Sequence, residues 1–348
     1  QTPVALLPMK LAVNEKTNEQ LCSRNREQTQ GMKIISLQIA TAALLASLAF
    51  PAWSDELKIG AASPVGEYTN TIVPAIDKKL QPHGYRAVAQ ISQGSQQNVE
   101  DVSSGKLTVA LSQWDVAALA MEEGAGDKLT LIGKMAPEAL LCAVNKQGRA
   151  RSLHDFTDPR ETPLKVSVGG EKSGTAKTFA YLQQLDPRLS GLELVYEQDV
   201  AAELHRLTSK SRDAVCFVMM PNPDNPLLKL VAQENDLKFI DFVNDKLANA
   251  KIGGDNVYDV IEVPVSPGVW GVGADTVNTL VTWVGLIVNK TQADLGLTVL
   301  LNGVASEPDL LPPTSAAGKA LLLYDTYRIK AEEATGQWSE KAMEMINR

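Results

Sequence analysis

Histidine and cysteine are scarce in this 348-residue sequence, which contains three of each. His83, His154 and His205 lie far apart, and none has the spacing of a metal site or stands beside a candidate nucleophile. No G-x-S-x-G motif is present either. The sequence therefore lacks the patterns typical of metal-dependent or nucleophilic catalysis, and we predict no metal site, no cofactor and no enzymatic activity.

Clusters of basic residues are also lacking. Lysine and arginine together number 33 against 41 aspartates and glutamates, so the net charge at pH 7 is −8. Binding to nucleic acid depends on grouped Lys and Arg side chains that neutralise phosphates. We therefore do not expect nucleic acid as a partner.

Nucleotide-binding motifs are incomplete. The stretch VSVGGEKSGTAKT (166–178) resembles a phosphate-binding loop, but Thr175 follows Gly174 where a P-loop has its lysine. The segment GVWGVGAD (268–275) contains Gly-x-Gly and lacks the third glycine of a dinucleotide fingerprint. These departures argue against ATP and dinucleotides as ligands.

The first 54 residues are predicted to lie outside the folded protein. From Met32 the chain has a lysine, a short apolar run and the small-x-small sequence Ala52-Trp53-Ser54. This is the three-part pattern of a secretory signal peptide, which we assign to residues 32–54 with cleavage after Ser54. Residues 1–31 precede this natural start and are expected not to belong to the native product. The remaining chain is expected in the periplasm.

From residue 57 onward, strand-like and helix-like segments alternate, which predicts an α/β fold with mixed or parallel sheets flanked by helices. The alternation restarts near residue 164, so we predict two lobes. Lobe 1 comprises residues 55–140 and 260–348, and lobe 2 comprises residues 141–259. Among the predicted elements are a helix at 174–185 and two separate strands at 129–135 and 138–146.

Two cysteines, Cys142 and Cys216, remain after the predicted cleavage. An even pair in an exported protein permits one disulfide. Each lies in a strand-like run, so the bond requires the two strands to be neighbours. Two buried free thiols are the equally weighted alternative.

Candidate binding residues cluster where strands are predicted to end and helices to begin. In open α/β sheets, ligands bind beyond the carboxyl ends of the strands, where unpaired backbone amides of a helix start attract anions. The loops 60–70 and 91–98, the helix start at 173–175 and two strand ends fit this description. The candidates are Ser63, Tyr68, Ser95, Asn98, Gln113, Trp114, Ser173, Gly174, Thr175, Met219 and Asn222.

A structural role is the alternative for each candidate. Serine and threonine at a helix start often only cap the helix. Trp114 and Met219 are also suited to core packing. Three such loops at one sheet edge nevertheless favour a binding pocket.

The motifs IGAASPVGEYTN, GSQQNVEDVSSGKLTVALSQWDVA and VSVGGEKSGTAKT together resemble the TAXI group of periplasmic solute-binding proteins, which serve TRAP-type transporters. They resemble more loosely the wider two-lobed, NMT1-like binding proteins. The resemblance covers most of residues 57–348 and is carried by Gly94, Ser95, Asn98, Gln113 and Asp115. Ser63-Pro64 and Trp114 depart from the group, which more often has glycine and a small residue there.

The resemblance implies a hinged, two-lobed fold of the clamshell type. Such a protein closes on a small-molecule ligand, here a carboxylate or an amino acid, and delivers it to TRAP membrane subunits as a monomer. A periplasmic sensor for a membrane kinase is the alternative. An exported enzyme is less favoured, because the enzyme branch of the NMT1-like group depends on a cysteine-rich segment that this chain lacks.

Overall fold

The computed structural model describes residues 55–266 and 275–328. The predicted signal peptide and upstream extension lie outside the described residues, as does most of the Gly-x-Gly segment at 268–275. The strands are β1 (Asp55–Gly60), β2 (Tyr85–Gln90), β3 (Val109–Gln113), β4 (Leu129–Asn145), β5 (Lys165–Ser167), β6 (Glu193–Val195), β7 (Ala214–Met219), β8 (Leu237–Ile240), β9 (Lys251–Ile252), β10 (Asp255–Asn256), β11 (Asp259–Pro264) and β12 (Thr276–Asn289).

The helices begin with a π-helical turn, Tyr68–Ile72, which continues directly into the first α-helix. The α-helices are α1 (Val73–Leu80), α2 (Ser95–Ser103), α3 (Trp114–Glu122), α4 (Leu153–Thr157), α5 (Gly174–Leu185), α6 (Val200–Thr208), α7 (Pro226–Gln233), α8 (Asp245–Ala248), α9 (Leu295–Ala305) and α10 (residues 316–328). Within the described ranges, no helix is long and apolar enough to span a membrane.

Ten strands form one mixed sheet in the order β2-β1-β3-β12-β4-β7-β5-β6, with β11 paired to β12 and β8 to β4. We call β1–β3 the first half of the sheet and β5–β8 the second half. Within each half, β1 pairs in parallel with β2 and β3, and β5 pairs in parallel with β6 and β7. The long strands β4 and β12 are antiparallel to each other and join the halves. The predicted α/β class, with a mixed sheet flanked by helices, is confirmed.

The prediction of separate strands at 129–135 and 138–146 is wrong, because β4 is a single strand of 17 residues. It pairs with β12 up to Glu138 and with β7 from Ala139 onward. The strand therefore changes its partner at this point and does not end there. The lobe boundaries proposed from the sequence stay a prediction.

Buried side chains cover both faces of the sheet. Successive residues of β4 enter different clusters: Leu140 and Cys142 pack with Phe156 and Phe179, whereas Leu141 packs with the helices on the opposite face. This follows from the two-residue period of a strand. It also explains why the second part of β4 is continuously apolar, as expected for a strand covered by helices on both faces.

Cys142 and Cys216 are joined in a disulfide. They are directly opposite each other in the pairing of β4 with β7, and both are fully buried. The neighbouring strands that the bond requires are therefore present. The disulfide joins β4 to β7, and Phe217, which follows Cys216 directly in β7, lines the cavity described below.

Replacing both cysteines by alanine is expected to lower the free energy of unfolding by about 2–4 kcal/mol. The bond links positions 74 residues apart, so its loss enlarges the conformational freedom of the unfolded chain. Urea denaturation of the oxidised protein and the double variant measures the difference. Equal unfolding midpoints and slopes would contradict the prediction.

Candidate functional site

A cavity of about 540 Å³ lies where the predicted loops meet. It is lined by residues from both halves of the sheet, and its size is within the usual range of small-molecule sites. Nine of the eleven residues proposed from the sequence line it: Ser63, Tyr68, Ser95, Gln113, Ser173, Gly174, Thr175, Met219 and Asn222.

The structure places the other two candidates outside the cavity lining. Asn98 is fully buried, and its amide donates hydrogen bonds to the carbonyls of Ala61 (2.5 Å) and Leu111 (2.7 Å). It therefore ties the loop after β1 to β3. Trp114 begins α3, and the ammonium of Lys134 lies 5.2 Å from the centre of its ring.

The start of α5 forms one wall of the cavity. The hydroxyl of Ser173 accepts a hydrogen bond from the amide of Ala176 at 3.1 Å, so this serine caps the helix. The hydroxyl of Thr175 accepts from the amide of Val218 at 2.9 Å and attaches α5 to β7. The backbone amides of Gly174 and Thr175 donate to no atom of the described residues. They remain available to a ligand.

The start of α2 faces the start of α5. Gly94 has a backbone φ of 130°, which residues other than glycine rarely adopt. A Cβ at this position would lie 3.1 Å from the Cα of Ser173. The close approach lets the amide of Gln97 donate to the carbonyl of Lys172 at 3.4 Å. Two helix N-termini thus converge on the cavity, where their partial positive charges favour an anionic group.

Lys172, beside the helix start, does not line the cavity. Its ammonium pairs with the carboxylate of Glu100 at 2.6 Å. Both side chains are nearly half exposed, so the pair is a surface link between α2 and the loop before α5. We therefore assign no ligand contact to Lys172.

Glu138 is a cavity residue that the sequence reasoning missed. It lies in β4 and is 6% exposed, and the hydroxyl of Tyr68 donates a 2.9 Å hydrogen bond to its Oε2. Burial disfavours the charged form and raises the pKa of Glu138 to about 8, despite the opposing hydrogen bond from Tyr68. In the sequence, one feature could have pointed to Glu138: it is an acidic residue at the start of the apolar segment EALLCAV.

Gln113 contacts the helix start at the floor of the cavity. Its side chain is 3% exposed, and its Oε1 has no hydrogen-bond partner among the described residues. A Cβ at position 174 would lie 1.7 Å from this oxygen. Glycine is therefore required at position 174 for Gln113 to occupy its place.

Asp115 lies directly behind the cavity and is 2% exposed. Its Oδ2 accepts hydrogen bonds from the hydroxyls of Thr178 (2.6 Å) and Tyr258 (2.8 Å), and its Oδ1 from the amide of Val116 (2.9 Å). Burial raises the pKa of Asp115. The carboxylate connects α3 to α5 and to the segment before β11, so its role is structural.

The charged residues described in the cavity lining are acidic. Glu67 and Glu138 are its acidic residues, and no lysine, arginine or histidine of the described ranges lines it. Serine, threonine, glutamine and asparagine supply the remaining polar groups, beside apolar residues such as Phe217 and Met219. The arrangement can bind a small molecule through neutral hydrogen bonds, free amides and one buried carboxylate.

Three solved structures match most of this chain at low sequence identity. The ligand-binding core of GluR0 in complex with L-glutamate has a TM-score of 0.46 and 12% identity, covering 77% of this chain and 97% of its own. A mutant of ArgBP from T. maritima has a TM-score of 0.44 and 12% identity, covering 78% and 94%. The substrate-binding protein of an amino acid ABC transporter has a TM-score of 0.44 and 11% identity, covering 78% and 98%.

No curated protein matches the chain. The NMT1-like family matches residues 59–295, which is more than half of the sequence and includes all eleven residues predicted for the site together with Glu138. The chain therefore belongs to the NMT1-like family.

Proposed function

We propose that this protein is an exported solute-binding receptor that takes up a small organic anion or amino acid in the cavity and delivers it to a TRAP-type transporter. One observation carries the proposal: the N-termini of two helices lie at the same cavity. Helix α2 follows a strand of the first half of the sheet, and α5 follows a strand of the second half. The unpaired amides of Gly174 and Thr175 at the start of α5 suit a carboxylate.

Contacts from both halves of the sheet also suit a receptor that closes on its ligand. A ligand shifts a protein toward a closed state only if it makes more favourable contacts there. Ser95 and Tyr68 come from the first half, whereas Gly174 and Met219 come from the second. The proposed division into lobes 55–140 with 260–348 and 141–259 crosses the chain within β4 and at the start of β11, and we propose the hinge at these crossings.

The purified chain is expected to bind at least one member of a panel of α-amino acids, 2-oxo acids and dicarboxylates. A ligand that binds only the folded state raises the melting temperature as its concentration increases. A thermal-shift screen followed by titration calorimetry measures this. A folded protein that binds nothing in the panel would contradict the proposal.

The Gly174→Ala variant is expected to weaken binding of the identified ligand at least tenfold, because the added methyl group displaces Gln113 at the cavity floor. Gly303→Ala is the matched control. Gly303 also lies in a helix, α9, and a Cβ there meets no atom within 4 Å. If the two variants bind the ligand with equal affinity, the start of α5 is not part of the binding site.

A further inference from the structure

The cavity combines a pole that attracts anions with a buried group that attracts cations. The amides of Gly174 and Thr175 form the first pole at the start of α5. Glu138 forms the second, and no basic side chain of the described residues lines the cavity to neutralise it. A simple dicarboxylate would satisfy the first pole and would place a second negative charge near Glu138.

Gln113 lies between the two poles. Its unpartnered Oε1 adjoins Gly174, and the side chain also interacts with Glu138. One glutamine side chain therefore lies beside both poles. The unpartnered oxygen is a hydrogen-bond acceptor, and a buried acceptor without a partner is costly. A ligand that brings an N–H donor to this point would satisfy it.

From these contacts we infer that the ligand is a zwitterion of the α-amino acid type, with its ammonium group held by Glu138 and Oε1 of Gln113 and its carboxylate at the amides of Gly174 and Thr175. This inference rests on the proposed receptor function and specifies its ligand class. The ammonium would donate to Glu138, while Tyr68 keeps its hydrogen bond to Oε2. The apolar part of the cavity, with Phe217 and Met219, accommodates the side chain of the ligand.

The test compares pairs of probes that differ only in the group facing Glu138. Suitable pairs are L-alanine and L-lactate, L-leucine and L-2-hydroxyisocaproate, L-phenylalanine and L-phenyllactate, and L-glutamate and L-2-hydroxyglutarate. Titration calorimetry of the full chain at pH 8.5 is expected to show at least a tenfold preference for the amino acid in any pair that binds. Equal or tighter binding of the hydroxy acid would overturn the inference and leave the receptor function standing.

The Glu138→Gln variant separates a charge effect from a change of shape. It is expected to weaken binding of the preferred amino acid at least tenfold and to leave the paired hydroxy acid within about threefold, since glutamine is isosteric and uncharged. Glu122→Gln is the control, because Glu122 is exposed at the end of α3 and lies outside the cavity lining. An equal loss for both members of a pair would show that Glu138 does not hold the ammonium.

Proton release provides a readout that a purely structural role would not produce. The titratable groups facing Glu138 are Tyr68 and Asp115, and Glu67 shares the cavity. The free cavity keeps Glu138 largely protonated at pH 7, and an arriving ammonium group favours the carboxylate. Amino acid binding should therefore release close to one proton at pH 7 in wild type and none in Glu138→Gln. Calorimetry in buffers of different ionisation enthalpy measures the number, and an equal release in both would contradict the inference.

Failure of the inference and failure of the proposed function are distinguishable in this design. If no amino acid and no hydroxy acid of the panel binds, while the melting curve shows a folded chain, the receptor proposal fails and the inference falls with it. If hydroxy acids or dicarboxylates bind without the preference for an ammonium group, only the inference fails.

Discussion

Replacing Asp115 by alanine is expected to lower the free energy of unfolding by about 2–5 kcal/mol. The substitution removes the acceptor of the buried hydroxyls of Thr178 and Tyr258 and leaves both without a partner. Each buried donor without a partner costs about 1–3 kcal/mol. The bonds also join α3 to α5 and to the segment before β11, so the variant should loosen the wall behind the cavity and weaken ligand binding as well.

Chemical denaturation of wild type and Asp115→Ala measures the loss of stability. The control is Glu122→Ala in the same helix, where the side chain is exposed and the effect should stay within about 0.5 kcal/mol. An Asp115→Ala variant as stable as the control would show that the two hydroxyls find other acceptors.

The Glu138→Gln variant is expected to gain stability over wild type as the pH rises, by about 4 kcal/mol between pH 5 and pH 9. The folded state holds a proton on Glu138 up to a pKa of about 8, whereas the unfolded chain releases it near the ordinary value of 4.5. Between these values the folded state binds more protons, so rising pH destabilises wild type. The loss is complete above about pH 8. Glutamine does not titrate, so the variant does not undergo this loss of stability.

Urea denaturation of both proteins at pH 5, 7 and 9 tests this prediction, and the difference between the proteins is the measured quantity. Titrating groups that do not interact with Glu138 shift both proteins alike and cancel in this difference. Glu122→Gln, with its exposed side chain, should run parallel to wild type across the range. A constant difference between Glu138→Gln and wild type would mean that burial does not raise the pKa of Glu138.

A destabilising carboxylate in a cavity is reasonable for a binding site. Natural proteins retain groups that weaken the fold where the function needs them. In the absence of ligand, Glu138 is buried without a positively charged partner among the cavity residues. A bound ammonium group would supply that partner and recover part of the lost stability.

The local pattern was sufficient to predict most elements around the site. The helix predicted at 174–185 is found as α5 with the same bounds, because Ser173 provides a cap and apolar residues recur at helical spacing. The predicted loops follow β1, β2 and β5, and all three border the cavity. Parallel strands bring their carboxyl ends to one edge, so a rule about sheets was enough to place these loops together.

The continuity of β4 was not predictable in this way. The predicted break between 129–135 and 138–146 falls at Ala136 and Pro137, but the strand continues through both residues and from Ala139 exchanges β12 for β7 as its partner. Strand pairing depends on residues that are distant in the chain, and a local pattern carries no information about them. No helix was predicted over α3, whose residues after Trp114 are apolar on most sides and therefore lack a clear helical period.

Local sequence was enough to predict the α/β class, most of the elements and nine residues that line the cavity, because hydrophobic periodicity and helix capping act over a few neighbouring positions. Which polar residues serve the fold and which face the cavity depends on contacts between distant segments. Asn98 and Asp115 turn inward to satisfy backbone and hydroxyl groups, whereas Glu138 turns toward the cavity. The difference depends on which groups from distant segments stand opposite each side chain, and this is settled only when the two halves of the sheet are assembled around β4 and β12.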